Sequence, residues 1–306
     1  MMSDVSARHY ALVDRLKQQG FIRTPRIEAA FRSVPRHLFL PGVSIETAYT
    51  DEAIITKYLN GKPISSASQP SIVAIMLEQL SVQEGDRVLE IGAGTGYNAA
   101  LMDYLVGDRG QVVTLDIDPD VVENACQHLL TAGCDRVQVI CADGGFGYPA
   151  AAPYDRIILT VGAGDILPAW QQQLKPNGRL VLPLTILKNV ELTVAFDRVN
   201  SYWESDSAAN CGFMKLRGAF AESQEKETNS KALDFKEVLI QVNNIYPLLE
   251  PLPLNLLLSL YNLINFGHAS LKDLKIKAYS QEIEYMPKAK ETVIDKNWTK
   301  LVLSWQ

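Results

Sequence analysis

Three glycines and one acidic residue stand close together in the segment RVLEIGAGTGYNAALM. Gly92, Gly94 and Gly96 alternate with other residues directly after an apolar run that contains Glu90. Glycine lets a backbone turn tightly and lets a ligand approach where a Cβ atom would collide. A dinucleotide fingerprint would place its third glycine where this chain has Tyr97, and Glu90 would repel a pyrophosphate. The pattern therefore favours a ligand with cationic groups near Glu90.

Two further acidic residues follow at the ends of the next two apolar runs. Asp116 lies about 20 residues beyond the turn, where a carboxylate can accept hydrogen bonds from two ribose hydroxyls. Asp143 ends the following run, where a carboxylate could bind an adenine amino group. Solvent-facing loop acids are the alternative, but they would not explain the joint spacing. We predict S-adenosylmethionine as the cofactor and add the neighbouring Thr95 and Gly144 to its site.

Alternating apolar runs and amphipathic stretches must position these residues. The predicted strands are 87–91, 111–116, 137–141, 154–159 and 179–184, and the predicted helices between them are 97–106, 119–132 and 168–174. Continuous apolar strands are typical of a parallel sheet covered on both faces, so we predict a doubly wound, Rossmann-like α/β fold. Further β-rich stretches at 190–197 and 212–216 would complete the sheet.

The flanking segments predict an accessory part at each end. Two short helices are expected within residues 6–45, an irregular polar loop over 46–70 and a helix over 71–80. After a charged linker at 222–231, strands at 238–242 and 298–305 and a helix at 254–266 predict a small α+β appendage. We therefore divide the chain into a methyltransferase domain (1–220) and an accessory region (221–306) that we expect to bind substrate.

Composition excludes several classes of partner. The net charge of −6 does not favour a nucleic-acid partner, and the 47% hydrophobic fraction is ordinary for a globular protein. The four cysteines and four histidines fall at no metal-ligand spacing, so we expect reduced thiols and no metal. The longest apolar stretch is too short and too polar to span a membrane, and the N-terminus does not resemble a signal peptide. We expect a cytoplasmic monomer.

Several segments, in the same order, resemble protein L-isoaspartyl O-methyltransferases. They are VPRHLFLPG, AYTDEAI, SQPSIVAIMLEQL, LEIGAGTGYNAAL and the stretch from APYDRIILT to NGRLVLPL, within residues 10–215. The resemblance implies a class I S-adenosylmethionine-dependent carboxyl O-methyltransferase that forms a methyl ester on a peptide carboxylate. It also implies cofactor roles for Glu90, Gly92, Gly94, Asp116 and Asp143.

One departure from the family pattern lies in the substrate loop. That loop usually reads like IGHGQTISQP, whereas this chain has the longer ITKYLNGKPISSASQP. The longer loop and the extra C-terminal region resemble the subfamily associated with ribosomally made peptide natural products, which includes the FxLD-system and the lanthipeptide or graspetide methyltransferases. That likeness implies esterification of an aspartate in a macrocyclic precursor peptide, followed by collapse to aspartimide or isoaspartate. Repair of damaged proteins is the alternative.

A carboxylate acceptor needs little help from the protein. With an ordinary pKa near 4 it is already ionised at neutral pH, so desolvation and alignment replace a general base. Ser68 is the predicted catalytic donor to this carboxylate, and Ser66, Gln69 and Lys57 are predicted to bind the substrate. The alternative interpretations are a helix N-cap for Ser68, a role compatible with the catalytic one, and a solvated loop cation for Lys57.

Three rival classes remain to be compared with this prediction. Tyr97 and Glu90 argue against a nicotinamide-dependent oxidoreductase. The complete glycine turn and the intact Ser68 loop argue against a binding module that has lost catalysis. The long substrate loop and the appendage favour a peptide acceptor over a small molecule.

Overall fold

The computed structural model describes residues 2–187, 190–199, 202–221, 275–279 and 300–304. Its α-helices are α1 (Met2–Gln18), α2 (Pro25–Ser33), α3 (Ile45–Ala48), α4 (Pro70–Leu80), α5 (Tyr97–Val106), α6 (Pro119–Thr131) and α7 (Pro168–Gln173). Its strands are β1 (Ile54–Leu59), β2 (Lys62–Ala67), β3 (Arg87–Ile91), β4 (Gln111–Asp116), β5 (Gln138–Cys141), β6 (Tyr154–Leu159), β7 (Leu174–Leu187), β8 (Val190–Val199), β9 (Tyr202–Asn210), β10 (Lys275–Tyr279) and β11 (Lys300–Ser304). Short 3-10 helical turns lie at Arg36–Phe39, Gly144–Phe146 and Pro149–Ala151.

A mixed sheet runs through the described residues in the order β11-β10-β9-β8-β7-β6-β3-β4-β5. The pairs from β5 to β7 are parallel, and the pairs from β7 to β11 are antiparallel. From β3 the chain runs outward to β4 and β5, and it then returns to the other side of β3 to form β6. The strand order therefore reverses beside β3, where α/β sheets form a crevice at their carboxyl edge. The predicted doubly wound fold is confirmed.

Helices cover both faces of the parallel strands. One core cluster joins the N-terminal helices to α4 and α5 through buried side chains such as Leu16, Phe31 and Leu77. A second cluster lies under α7 and contains Trp170 and Trp203. Because both faces are packed, the strands are apolar along their length, and this is the pattern from which the sequence predicted them.

The prediction of an irregular loop over 46–70 is wrong at its centre. β1 and β2 pair there as an antiparallel hairpin, and the turn between them is Asn60-Gly61. Both turn residues have positive φ, 51° and 75°, which is the geometry that Asn-Gly favours in a two-residue hairpin turn. The signal was therefore present in the sequence. Polar residues on both strands concealed it, because this hairpin is only partly buried.

The C-terminal predictions have mixed outcomes. The stretch 212–216 does not form a strand and contributes only an isolated bridge between Lys215 and Gly162. The strand beside β8 is β9 instead. β11 lies within the predicted strand 298–305, and β10 joins it to β9, so both continue the central sheet. The predicted linker at 222–231, strand at 238–242 and helix at 254–266 lie outside the described residues.

Two searches of the described residues concern membranes and metals. No helix there has the length and apolar character needed to cross a bilayer. The histidine, cysteine, aspartate and glutamate side chains of that part of the chain form no group of three that could hold a metal ion. All four cysteines are free thiols.

Candidate active site

A cavity of about 640 Å³ opens at the carboxyl ends of β3 and β4, beside the reversal of strand order. Its volume lies within the range of small-molecule and cofactor sites. One wall holds most of the predicted cofactor residues, namely Glu90, Gly92, Gly94, Thr95, Asp116 and Gly144. A second wall holds the predicted acceptor residues Ser66, Ser68 and Gln69. The structure thus brings the two predicted groups together.

The glycine turn after β3 requires glycine for two separate reasons. At Gly92, φ is 104°, and an added Cβ atom would lie 2.6 Å from Thr160 Oγ1, which itself donates a hydrogen bond to Gly92 O. At Gly94, φ is 52°, and a Cβ atom would lie 3.4 Å from Ser66 O. The turn therefore lies against the end of β6 on one side. On the other side it lies against the acceptor loop, which we define as Ser66–Gln69, where β2 leads into α4.

Glu90 is fully buried at the floor of the cavity. Its two carboxylate oxygens accept hydrogen bonds from Asn98 Nδ2 at 2.7 Å and from Thr114 Oγ1 at 2.6 Å. Burial raises the pKa of Glu90 to about 7 despite these two bonds. Asn98 Oδ1 is also buried and has no partner among the described residues. The floor thus presents an acid and an amide oxygen, both suited to cationic or hydrogen-bond-donating groups.

Asn98 and Thr114 were not predicted as site residues. Thr114 pairs with Glu90 in the register of β3 and β4, and Asn98 lies in the first turn of α5. The position of a polar residue in the first turn of α5, directly after the glycine turn, could have indicated Asn98. No sequence signal indicated Thr114, because its role depends on strand register.

Asp116 lies at the end of β4 and lines the cavity. Its carboxylate accepts hydrogen bonds from Gly94 N and from Asp118 N, each at 3.2 Å. Burial raises the pKa of Asp116, and these two bonds oppose the shift. The acid thus braces the glycine turn and still faces the cavity.

The carboxylate of Asp143 is not on the cavity wall. It accepts hydrogen bonds from Gly145 N at 2.9 Å and from Ala219 N at 2.7 Å. Its neighbour Gly144 takes the place on the wall, and Gly218 packs directly against the Asp143 side chain. Asp143 therefore anchors the segment after Leu216, and its predicted contact with adenine stays a prediction.

The acceptor loop leads from β2 into α4. Helix α4 begins at Pro70, and its N-cap residue, Gln69, makes no side-chain cap. The amide of Ser71 instead donates to Asp51 Oδ1 at 2.8 Å, and Gln69 Nε2 donates to Asp51 Oδ2 at 3.4 Å. The competing interpretation of Ser68 as the helix cap is therefore wrong, because Asp51 has that role.

Lys57 does not line the cavity. Its ammonium lies 3.2 Å from Asp118 Oδ2 and 2.5 Å from Asp120 Oδ1, so it is paired rather than solvated. Arg217 binds Asp118 through both of its terminal nitrogens, at 2.6 and 3.2 Å, and these bonds lower the pKa of Asp118. The ion pairs tie the hairpin and the segment around Arg217 to the start of α6.

A third wall, formed by residues 210–217, was not predicted. Glu191 on β8 holds this segment, since its carboxylate accepts a hydrogen bond from Phe213 N at 2.7 Å and pairs with Lys215. Lys215 also donates to Thr185 Oγ1 at 2.7 Å. No motif marks these residues, because they reach the cavity only through the return of the chain after β9.

Comparison with known proteins places this geometry in a family. The profile described as "Protein-L-isoaspartate(D-aspartate) O-methyltransferase (PCMT)" matches residues 7–220. The chain is similar to the protein-L-isoaspartate O-methyltransferase of Methanopyrus kandleri, with 39% identity over 208 residues that cover 68% of this chain and 90% of the relative. The enzyme of the same name from Thermotoga maritima is 36% identical over 236 residues, covering 76% and 73%.

Solved structures agree with these matches. A protein-L-isoaspartate O-methyltransferase structure superimposes with a TM-score of 0.65 at 31% identity, covering 71% of this chain and 68% of that one. A second structure, a Plasmodium falciparum protein described as a complex with S-adenosyl-L-homocysteine, has a TM-score of 0.59 at 18% identity and supports the fold. The predicted enzyme class and cofactor are confirmed: this is an S-adenosylmethionine-dependent O-methyltransferase. The chain belongs to the protein-L-isoaspartate(D-aspartate) O-methyltransferase family.

Proposed function

We propose that this protein esterifies the side-chain carboxylate of isoaspartyl residues in peptides and damaged proteins. One observation carries the proposal: a single cavity is lined both by a buried acid and by a loop of hydroxyl and amide groups. The first suits a cationic methyl donor, and the second suits an anionic acceptor. The family match over residues 7–220 supports the same acceptor class.

The cofactor wall fits S-adenosylmethionine in charge and in space. The ligand is cationic at its sulfonium and at its α-ammonium group. The buried Glu90 carboxylate can face such groups, and so can Asn98 Oδ1, which has no hydrogen-bond partner within the described part of the chain. Asp116 can accept hydrogen bonds from ribose hydroxyls at the end of β4. Gly92 and Gly94 line the cavity and carry no side chain that could occupy it. When bound, the cofactor supplies an electrophilic methyl group.

The acceptor wall orients a carboxylate without immobilising it. Ser66, Ser68 and Gln69 offer hydroxyl and amide donors. The nearby cations are engaged elsewhere, since Lys57 pairs with Asp118 and Lys215 pairs with Glu191. A carboxylate held by neutral donors keeps more of its nucleophilicity than one held in a strong ion pair, and the site must also exclude water. No general base is needed, because the acceptor is ionised at neutral pH.

The ester product then reacts without further catalysis. The following backbone nitrogen attacks the ester carbonyl, methoxide leaves as methanol, and a five-membered succinimide closes. Hydrolysis of that ring returns part of the material to the normal aspartyl linkage. This sequence accounts for repair.

An aspartate in a modified, macrocyclic precursor peptide is the second candidate acceptor. The observation that favours it is that β10 and β11 add to the sheet edge from residues beyond the region matched by the family. A repair enzyme must accept any exposed isoaspartyl residue and has no evident need for that extension. A macrocyclic precursor is ordered before it binds, which lowers the entropic cost of holding it on an added surface.

A panel of acceptors tests the proposal. Methyl incorporation is followed by mass spectrometry for an isoaspartyl hexapeptide, its aspartyl twin, and a linear and a macrocyclised aspartyl precursor. We expect the isoaspartyl peptide to be labelled fastest and its aspartyl twin not at all. Faster labelling of the macrocyclised precursor would overturn the repair proposal and support the second candidate. S-adenosylhomocysteine, added as a competitor, checks that labelling depends on the cofactor site.

A further inference from the structure

Arg36 is a charged side chain in the interior of the protein, with 1% of its surface exposed. It lies in the 3-10 turn Arg36–Phe39, within the VPRHLFLPG segment. Among the described residues no carboxylate lies within ion-pair distance of it. Its terminal nitrogens donate instead to four backbone carbonyls, those of Ala48 (2.9 Å), Thr50 (3.3 Å), Glu52 (3.1 Å) and Ser68 (3.1 Å).

These four carbonyls belong to only two segments of chain. Three of them lie between the end of α3 and the start of β1, and the fourth belongs to Ser68 in the acceptor loop. A buried cation without a paired anion is costly, and only several well-placed acceptors offset that cost. The fork of the guanidinium reaches both segments at once, which an ammonium group could not do with the same geometry.

The segment 48–52 also binds the acceptor loop through a side chain of its own, that of Asp51. Asp51 lies between two of the bound carbonyls, and its carboxylate accepts hydrogen bonds from Gln69 Nε2 and Ser71 N. Arg36 therefore fixes Ser68 directly and fixes Gln69 and the start of α4 through Asp51. Arg36 itself is absent from the cavity wall, so any influence on the acceptor must pass through these residues.

We propose that Arg36 is a positioning residue that sets the Ser68–Gln69 wall for the acceptor carboxylate. The proposal rests on the proposed function in one respect, namely that this wall faces a carboxylate. Methyl transfer needs the attacking oxygen aligned behind the S–CH₃ bond, and a displacement of about 1 Å can reduce the rate about 10²-fold. Among the described residues, Arg36 donates no hydrogen bond to Glu90, Gly92, Gly94 or Asp116, so we expect cofactor affinity to be kept when Arg36 is replaced.

Three variants test this role. Arg36→Met removes every donor, and Arg36→Lys keeps the charge without the fork. Arg26→Met is the control for the loss of an arginine that joins two segments. Arg26 is exposed, and it donates to the carbonyls of Val82 (2.9 Å) and Leu105 (2.7 Å), away from the cavity. For each full-length variant we measure kcat and KM for the acceptor peptide, Kd for S-adenosylmethionine by calorimetry, and amide exchange over residues 48–52 and 65–72.

We expect Arg36→Met to lower kcat/KM for the acceptor about 10²-fold with unchanged Kd for the cofactor. Arg36→Lys should recover part of that loss, and Arg26→Met should leave both constants at wild-type values. Both Arg36 variants should exchange faster over residues 48–52 and 65–72 and not over β4, residues 111–116. Equal losses of acceptor turnover and cofactor affinity would show a general structural role and overturn the proposal.

Two other outcomes are also decisive. If Arg36→Met does not fold, Arg36→Lys carries the test, and wild-type turnover with wild-type exchange in that variant would refute the positioning role. If the wild-type enzyme fails to methylate the isoaspartyl peptide, the proposed function is wrong. The exchange measurement still tests Arg36 in that case, because it needs no acceptor.

Discussion

Glu90 combines complete burial with an ionisable group at a cavity floor. Burial raises its pKa to about 7, so the carboxylate is largely protonated at pH 6 and largely ionised at pH 8 when no cofactor is bound. A cationic cofactor binds the ionised form better. We therefore predict that affinity for S-adenosylmethionine rises about tenfold between pH 6 and pH 8. Calorimetry at the two pH values measures this, and Glu90→Gln should bind more weakly with no such pH dependence.

The same shift affects the stability of the protein without cofactor. The folded state holds the Glu90 proton more tightly than the unfolded chain does, so its contribution to stability is complete below a pH of about 4.5. That contribution is lost as pH rises towards about 7. Glu90→Gln should remove this part of the pH dependence of the free energy of unfolding. An unchanged profile in the variant would mean that Glu90 titrates normally in the folded protein.

Ser68 and Asp51 divide two roles that the sequence could not separate. Asp51 caps α4, so Asp51→Ala should lower stability by about 1 kcal/mol, the usual cost of losing a cap. Ser68→Ala should leave the melting temperature and the cofactor affinity unchanged and slow methyl transfer. Thermal unfolding and single-turnover kinetics on both variants check this. If Ser68→Ala lowers stability and keeps full turnover, Ser68 caps α4 and has no role in methyl transfer.

At the scale of elements, Asp118 joins two segments that border the cavity. It forms ion pairs with Lys57 of the hairpin β1–β2 and with Arg217 of the segment after β9. We predict that Asp118→Asn speeds amide exchange in both segments, 54–67 and 210–221, because it weakens both ion pairs. Lys57→Ala should speed exchange in the hairpin alone. Mass spectrometry measures the exchange rate of each segment in each variant. If Lys57→Ala speeds exchange in 210–221 as much as Asp118→Asn does, the two ion pairs do not hold the two segments independently.

At the scale of the whole molecule, the described site lies within the region that matches the family, whereas β10 and β11 lie beyond it. We predict that removing residues 222–306 leaves cofactor affinity unchanged and exposes the edge of β9, which then promotes self-association. Calorimetry and analytical ultracentrifugation measure the two effects. Labelling of the isoaspartyl peptide should persist, and selective loss of precursor labelling would assign the C-terminal region to that substrate.

The sequence by itself determined the fold class and the cofactor wall. Apolar strands separated by helices predict a doubly wound sheet because their pattern is local, and a parallel sheet must bring its carboxyl ends to one edge. Glu90, Gly92, Gly94 and Asp116 could therefore be assigned to one crevice without coordinates, and they line one cavity.

Tertiary structure alone decided which groups the remaining residues contact. Thr114 donates to Glu90 because strand register places the two residues side by side. Asp51, not Ser68, caps α4. Lys57 pairs with Asp118 and does not line the cavity. Arg36 donates hydrogen bonds to backbone carbonyls that lie up to 32 positions away in the sequence. Such contacts join residues far apart in the chain, and their partners depend on how elements pack. No local pattern of residue types contains that information, because it exists only after the sheet, the hairpin and the N-terminal helices have assembled.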